Sequence, residues 1–119
     1  MILYHQLPKN LDRKDHWDLM LHDNGVLLTW ALSSHPLISE ESRGERLPDH
    51  RLFYLQFEGE VSGGRGIVSQ VAKGKFDWIE RINLDNWKVR LSLSSGRNLI
   101  CQNKMGLFQF PPYDEELSS

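Results

Sequence analysis

The sequence predicts an all-β fold: a single small antiparallel β-barrel, closed or partly open, with short helical-turn or loop excursions. Three observations carry this expectation. Short segments alternate apolar and polar side chains, the pattern of a strand with one buried face. Breakers separate most of them, at Asn24-Gly25, Ser62-Gly63-Gly64, Lys73-Gly74, Asp85-Asn86 and Ser95-Gly96. No stretch sustains the period of a long helix, about 3.6 residues.

Taken in order, the first strand is expected over Ile2–Gln6, and the charged residues 10–15 as a helical turn or loop. Residues 16–22 alternate strictly, with His16, Asp18 and Met20 on one side and Trp17, Leu19 and Leu21 on the other. A one-residue slip would expose all three apolar side chains, so burial locks the register. Asn24-Gly25 is a favoured two-residue hairpin turn. Counting outward from it pairs Asp23 with Val26, Leu21 with Leu28, Leu19 with Trp30 and Asp18 with Ala31. The apolar face then gains Leu28, Trp30 and Leu32, while Thr29 and the small Ala31 flank Met20 and Asp18.

Residues 36–48, rich in Ser, Glu, Arg, Gly and Pro, are expected as an irregular excursion. A strand is expected over 50–58, with His50, Tyr54, Gln56 and Glu58 on one face and Phe53, Leu55 and Phe57 on the other. Further strands are expected at 66–71, 76–82, 87–93, 98–102 and 106–110. Pro111-Pro112 stop the last of them. Residues 1–110 are thus read as one barrel domain and 111–119 as an acidic, flexible tail.

The bulk numbers agree. At 119 residues with 39% hydrophobic side chains, the chain has apolar area for one core. Net charge is -2, and without Asp114, Glu115 and Glu116 of the tail the 14 basic residues face thirteen acids. Such a balance excludes a non-specific nucleic-acid coat but leaves room for a local basic groove. The single cysteine, Cys101, excludes an internal disulfide and a zinc-thiolate cluster, and alternation reads it as a packed or edge residue. The N-terminal segment lacks the features of a signal peptide and no run is long enough to span a membrane, so a cytoplasmic protein without a membrane partner is expected.

The chemistry-bearing residues lie on two of these segments. In a strand, His16 and Asp18 sit about 7 Å apart on one side, and both can lean toward one cation. His50 and Tyr54 can line a common groove. Two histidines and an aspartate suit a borderline divalent ion such as Mn²⁺ or Zn²⁺, with positions left for water and a substrate oxygen. An isolated His-x-Asp is more often a surface pair on a half-exposed strand than a metal site, and His22 and His35, beside a turn and a proline, read as solvent-facing.

Several blocks in collinear order resemble the 3′-phosphoesterase domain of bacterial DNA ligase D and its stand-alone forms. They are His16-Trp17-Asp18-Leu19-Met20-Leu21-His22, Gly25-Val26-Leu27, Thr29-Trp30-Ala31, Asp49-His50-Arg51 with Tyr54, Phe57-Glu58-Gly59, and Gly63-Gly64-Arg65-Gly66. The match spans residues 4–78. The resemblance implies a compact β-barrel that binds manganese or a similar ion and trims phosphates or ribonucleotides from the 3′ ends of DNA or RNA during break repair. It implies metal ligation by His5, His16 and Asp18, with His50 contacting metal or phosphate and Tyr54 lining the pocket. A monomer working beside repair ligase or polymerase proteins is the expectation.

The chain departs from that pattern at specific positions. The arginine expected two residues past the metal-binding aspartate is Met20, and a thioether does not replace a bidentate cation. The family's acid after the strand is His22, and its proline after Asp-His is Arg51. His5 lies farther from His16 than the family spacing, which makes residues 7–15 an insertion if His5 is a ligand. Arg13, Arg51 and Arg65 are the candidate substitutes for the missing guanidinium. Two readings follow, a metal-dependent phosphoesterase or a non-catalytic relative that binds nucleic-acid ends or a protein. A third is a small-molecule or structural barrel whose histidines are incidental.

Overall fold

The turn at Asn24-Gly25 sets the first register. Both residues take positive φ, 48° and 81°, the backbone that lets a two-residue turn follow the strands' twist. It joins β2 (His16–Asp23) to β3 (Val26–Leu32). The pairs are those counted from the turn: Asp23 with Val26, Leu21 with Leu28, Leu19 with Trp30 and Asp18 with Ala31. The computed structural model describes residues 1–6, 15–55, 58–61 and 66–111, apart from the side chains of Leu3, His5, Tyr54, Leu55 and Glu60.

The described residues form an all-β, nearly closed, barrel-like antiparallel sheet. Its other strands are β1 (Ile2–Gln6), β4 (Glu41–His50), β5 (Gly59–Glu60), β6 (Ile67–Ala72), β7 (Gly74–Asn83), β8 (Asn86–Leu93), β9 (Asn98–Lys104) and β10 (Leu107–Gln109). They pair in the order β5-β6-β1-β2-β3-β4-β10-β9-β8-β7. One strand turns a corner inside this order. The end of β4 pairs with β3, while its start, Glu41 to Arg43, pairs with β10. A second corner lies at Lys73, the single residue between β6, next to one end of the order, and β7 at the other end.

A glycine marks each corner. A Cβ on Gly44 would overlap the Phe108 ring, and one on Gly74 would overlap the Ser92 carbonyl. Close approach of another group is what a glycine inside a strand allows. Arg81 adds a clasp, donating to Asp23 Oδ2 at 3.0 Å while its guanidinium stacks on Trp78, 4.4 Å from the ring centroid.

The interior holds Ile2, Leu19, Leu21, Leu28, Trp30, Leu32, Trp87, Val89, Leu91, Leu99, Cys101, Phe108 and Phe110. Trp30 packs on Trp87 with centroids 4.9 Å apart, and Phe108 meets Trp87 edge-on at 5.7 Å. Cys101 is fully buried, as its alternation implied, and desolvation raises its thiol pKa far above the ordinary range.

Two expectations are corrected. Residues 36–48 are not one irregular excursion, because β4 begins at Glu41. Its Glu41, Arg43 and Glu45 are exposed, and the alternate positions carry Ser42, Gly44 and Arg46, so no apolar period announces it. Small or polar residues fit there because aromatic neighbours fill the volume: Phe108 against Gly44, and Trp30 with its centroid 5.3 Å from the Arg46 guanidinium. Nor is 50–58 a strand. β4 ends at His50, Leu52–Leu55 form a 3-10 turn, and Gly59–Glu60 make a short strand on β6. The pairing of Thr29 with Leu47 and of Leu27 with His50 leaves β4 one residue too many. This bulge falls at Pro48-Asp49, where proline has no N–H for the ladder. The expected turn at 10–15 and the tail lie outside the described residues except Asp15 and Pro111.

Candidate metal centre

Residues that face each other across antiparallel strands share a side of the sheet. One row through β2 is therefore Gln70, Leu3, Asp18, Ala31 and Glu45, and the next is Val68, His5 and His16. This side lies opposite the main core, since Leu19 and Leu21 alternate to the interior.

His16 and Asp18 are 5% and 2% exposed, which rules out the solvent-facing reading of this pair. Nε2 of His16 lies 3.1 Å from Oδ1 of Asp18. A buried carboxylate is costly without a partner, and the imidazole provides one. The site thus begins as a nitrogen and an oxygen donor directed at one point. His5 takes the register position opposite His16, and its side chain lies outside the described residues. Among the described residues no group of three or more His, Cys, Asp and Glu gathers as a metal cage.

Met20 sits two residues beyond Asp18 and is 2% exposed. It packs with Leu27, Val61 and Val68, with Met1 at the edge. The N–H of Met20 donates to the Met1 carbonyl at 2.8 Å, and the Met1 ammonium donates back to the Met20 carbonyl at 3.2 Å. Met20 therefore seats Met1 and the segment at Val61 on the sheet. A guanidinium in its place would be buried among aliphatic groups.

His50 is not brought to the pair. Its Cα partner is Leu27, four residues along β3 from Ala31, and β4 lies a strand beyond. That separates it from Asp18 by about 13 Å along the strands and two strand spacings across. Its Nδ1 is 3.0 Å from the Pro48 carbonyl. Tyr54 falls in the 3-10 turn with its side chain outside the described residues, so the shared strand face expected for His50 and Tyr54 does not exist. Arg51 is exposed just after β4, and Arg13 and Arg65 lie outside the described residues.

Of the other histidines, His22 is exposed as expected, whereas His35 is half-buried. The His35 ring packs on Trp17 at 5.4 Å, and its Nδ1 accepts from the Leu37 N–H at 3.1 Å. Trp17 also meets Tyr4 at 5.1 Å, and the Tyr4 hydroxyl donates to Asp15 Oδ2 at 2.9 Å. That hydrogen bond, with smaller desolvation and charge effects from the same carboxylate, raises the phenol's pKa.

One residue of the row was missed by sequence reasoning. Glu45 stands across Ala31 from Asp18 as an exposed carboxylate on the same side. The charged alternation Glu41, Arg43, Glu45 was its only signal. Comparison of the chain with family models and with curated proteins gives no match.

Proposed function

We propose that the protein is a metal-dependent 3′-phosphoesterase-like protein that processes 3′-phosphate or 3′-ribonucleotide ends of DNA or RNA in strand-break repair. The observation that carries this reading is the buried His16–Asp18 contact, with His5 at the register position opposite His16. An imidazole nitrogen and a carboxylate oxygen directed at one point fit a borderline divalent ion, Mn²⁺ or Zn²⁺. Such an ion would supply Lewis acidity toward a phosphate oxygen. His16, Asp18 and His5 would hold it, and Ala31, the small residue opposite Asp18, would face the phosphate. His50, set apart along β4, would contact the strand away from the ion, with Tyr54 and Arg13, Arg51 or Arg65 steadying phosphate charge. The collinear blocks resembling the ligase D domain support the same reading, as they do a partnership with repair ligases or polymerases.

The test is incubation of the purified protein with Mn²⁺ and a primer ending in a 3′-phosphate or 3′-ribonucleotide. Turnover that disappears in Asp18→Asn and His16→Ala supports the reading. Wild-type turnover no greater than that of the variants overturns it.

A second reading is favoured by Met20. Where the resemblance calls for a phosphate-gripping arginine, this chain has an apolar contact. A non-catalytic relative would keep the barrel and bind nucleic-acid ends or a protein. Salt-sensitive binding to a recessed 3′ end without cleavage would identify it.

A further inference from the structure

Around the Lys73 corner lies an open groove of about 440 Å³ whose floor and rim differ in chemistry. Leu37, Val71, Ala72 and Leu93 are partly buried and pack on the main core, so the floor is an apolar shelf at one end of the barrel. The rim carries two cations, Lys73 and Arg97, and two hydroxyl side chains, Ser94 and Ser95.

Main-chain hydrogen bonds hold that rim in shape. The Ser94 N–H donates to the Lys73 carbonyl at 2.8 Å, which ties the β8–β9 turn to the β6–β7 corner. The Leu93 N–H donates to the Arg97 carbonyl at 2.9 Å and the Gly96 N–H to the Leu93 carbonyl at 2.9 Å, closing the turn. Gly96 takes φ 94°, the left-handed backbone that a side chain would strain. Lys73 and Arg97 come from separate elements but are brought to one groove. Neither takes part in the ion pairs of the described residues, which join Arg46 to Asp49, Arg81 to Asp23, Arg90 to Asp77 and His16 to Asp18.

In a chain of net charge -2, the groove sets two cations, neither ion-paired among the described residues, over an apolar shelf, against one carboxylate at its Gln70 edge, Glu58, whose Oε2 accepts from the Gln70 N–H at 3.2 Å. The volume lies in the range of small-molecule sites, about 300–1,000 Å³, which pair apolar walls with a few placed polar groups. We propose that this groove binds a nucleotide, its phosphate received by the two cations and the two hydroxyls of the rim and its base or sugar by the apolar floor. The groove and the His16–Asp18 pair rest on different apolar clusters, its floor on the main core and Met20 beside Asp18 on the second cluster across β2; Gln70, at the groove's edge, stands two strands from Asp18 in the same row. A free mononucleotide and a nucleotide within a strand present the same chemistry to it.

The experiment is an amide chemical-shift titration of the full chain, without metal, using adenosine monophosphate, inorganic phosphate, adenosine and a short oligothymidylate in separate arms. Saturable shifts at Lys73 and Ser94 to Arg97 are expected with the monophosphate, at lower concentration than with phosphate or adenosine. Lys73→Gln and Arg97→Gln each weaken binding about fivefold, the scale of one exposed charge contact. Lys104→Gln, an exposed cation elsewhere, leaves it unchanged. If oligothymidylate binds more tightly than the monophosphate, the groove serves a strand; the reverse order assigns it to free nucleotide. No saturable shift, equal binding in the Lys73 and Arg97 variants, or affinity for phosphate or adenosine equal to that for the monophosphate overturns the proposal. Because no metal is present, this outcome is independent of whether the His16–Asp18 site is catalytic.

Discussion

Nε2 of His16 and Oδ1 of Asp18, two residues apart on one strand, lie 3.1 Å from each other with both side chains buried. Alternate Cα atoms of a strand are about 7 Å apart, so both side chains lean toward a shared point. If a divalent ion binds there as proposed, it would stabilise the folded chain by about 3 kcal/mol at a hundredfold excess over its Kd. Thermal unfolding with and without Mn²⁺ or Zn²⁺ should show that gain in the wild type and its loss in Asp18→Asn. An equal gain in the variant would place the ion elsewhere.

Met20 separates packing from phosphate recognition. Met20→Leu keeps volume and apolarity and should cost less than about 1.5 kcal/mol in urea denaturation. Met20→Arg buries a charge among Leu27, Val61 and Val68, with an expected cost of about 3 kcal/mol or more. A Met20→Arg variant of unchanged stability and greater phosphate affinity would show that this position opens to substrate.

The two corner glycines should differ in rescue. Gly44→Ala drives a methyl into the Phe108 ring, and Gly74→Ala drives one into the backbone at Ser92 and Leu93. Each should destabilise by about 2 kcal/mol. Phe108→Leu should then recover part of the loss in a Gly44→Ala background, where a side chain is in the way, and none in a Gly74→Ala background. Equal coupling in both double-mutant cycles would remove this distinction.

Stability should also depend on pH through the Met1 amine, when that amine is free. Burial pushes its pKa from 8.0 down to about 6. Between these values the unfolded chain holds a proton that the folded chain has released, so stability rises with pH from about 6 to 8 and is level on either side. The span corresponds to about 3 kcal/mol. Acetylating the N-terminus should flatten that segment of the profile, and an unchanged slope would assign it to another group.

Cys101 should be silent to thiol reagents in the native state. It is fully buried and its thiolate is disfavoured by desolvation. Labelling at pH 8 is expected to follow global unfolding and to speed up with denaturant; rapid labelling of native protein would contradict the burial.

The hairpin was legible residue by residue. Asn24-Gly25 requires positive φ, and Trp17, Leu19, Leu21, Leu28, Trp30 and Leu32 require one buried face, so turn chemistry and alternation lead to the same pairs. The later strands were legible to within a residue or two at most ends for the same reason. β4 was not, because its inward positions are small or polar and owe their fit to Phe108 and Trp30, which arrive from other strands. The Met105-Gly106 turn was hidden as well, since Met105 adopts φ 51° without being a residue that favours it.

Local rules therefore determined the strand class, the β2–β3 register and the shared face of His16 and Asp18, because period and turn type depend on neighbours in the chain. Tertiary structure decided what those rules do not contain. It set His50 away from Asp18 through the register of β4 on β3, placed Glu45 across Ala31, buried Met20 under Val61, and brought Lys73 and Arg97 to one groove. Each of these depends on which strands become neighbours when the sheet bends at Gly44 and Gly74. That is settled by the closure of the barrel and not by any one segment.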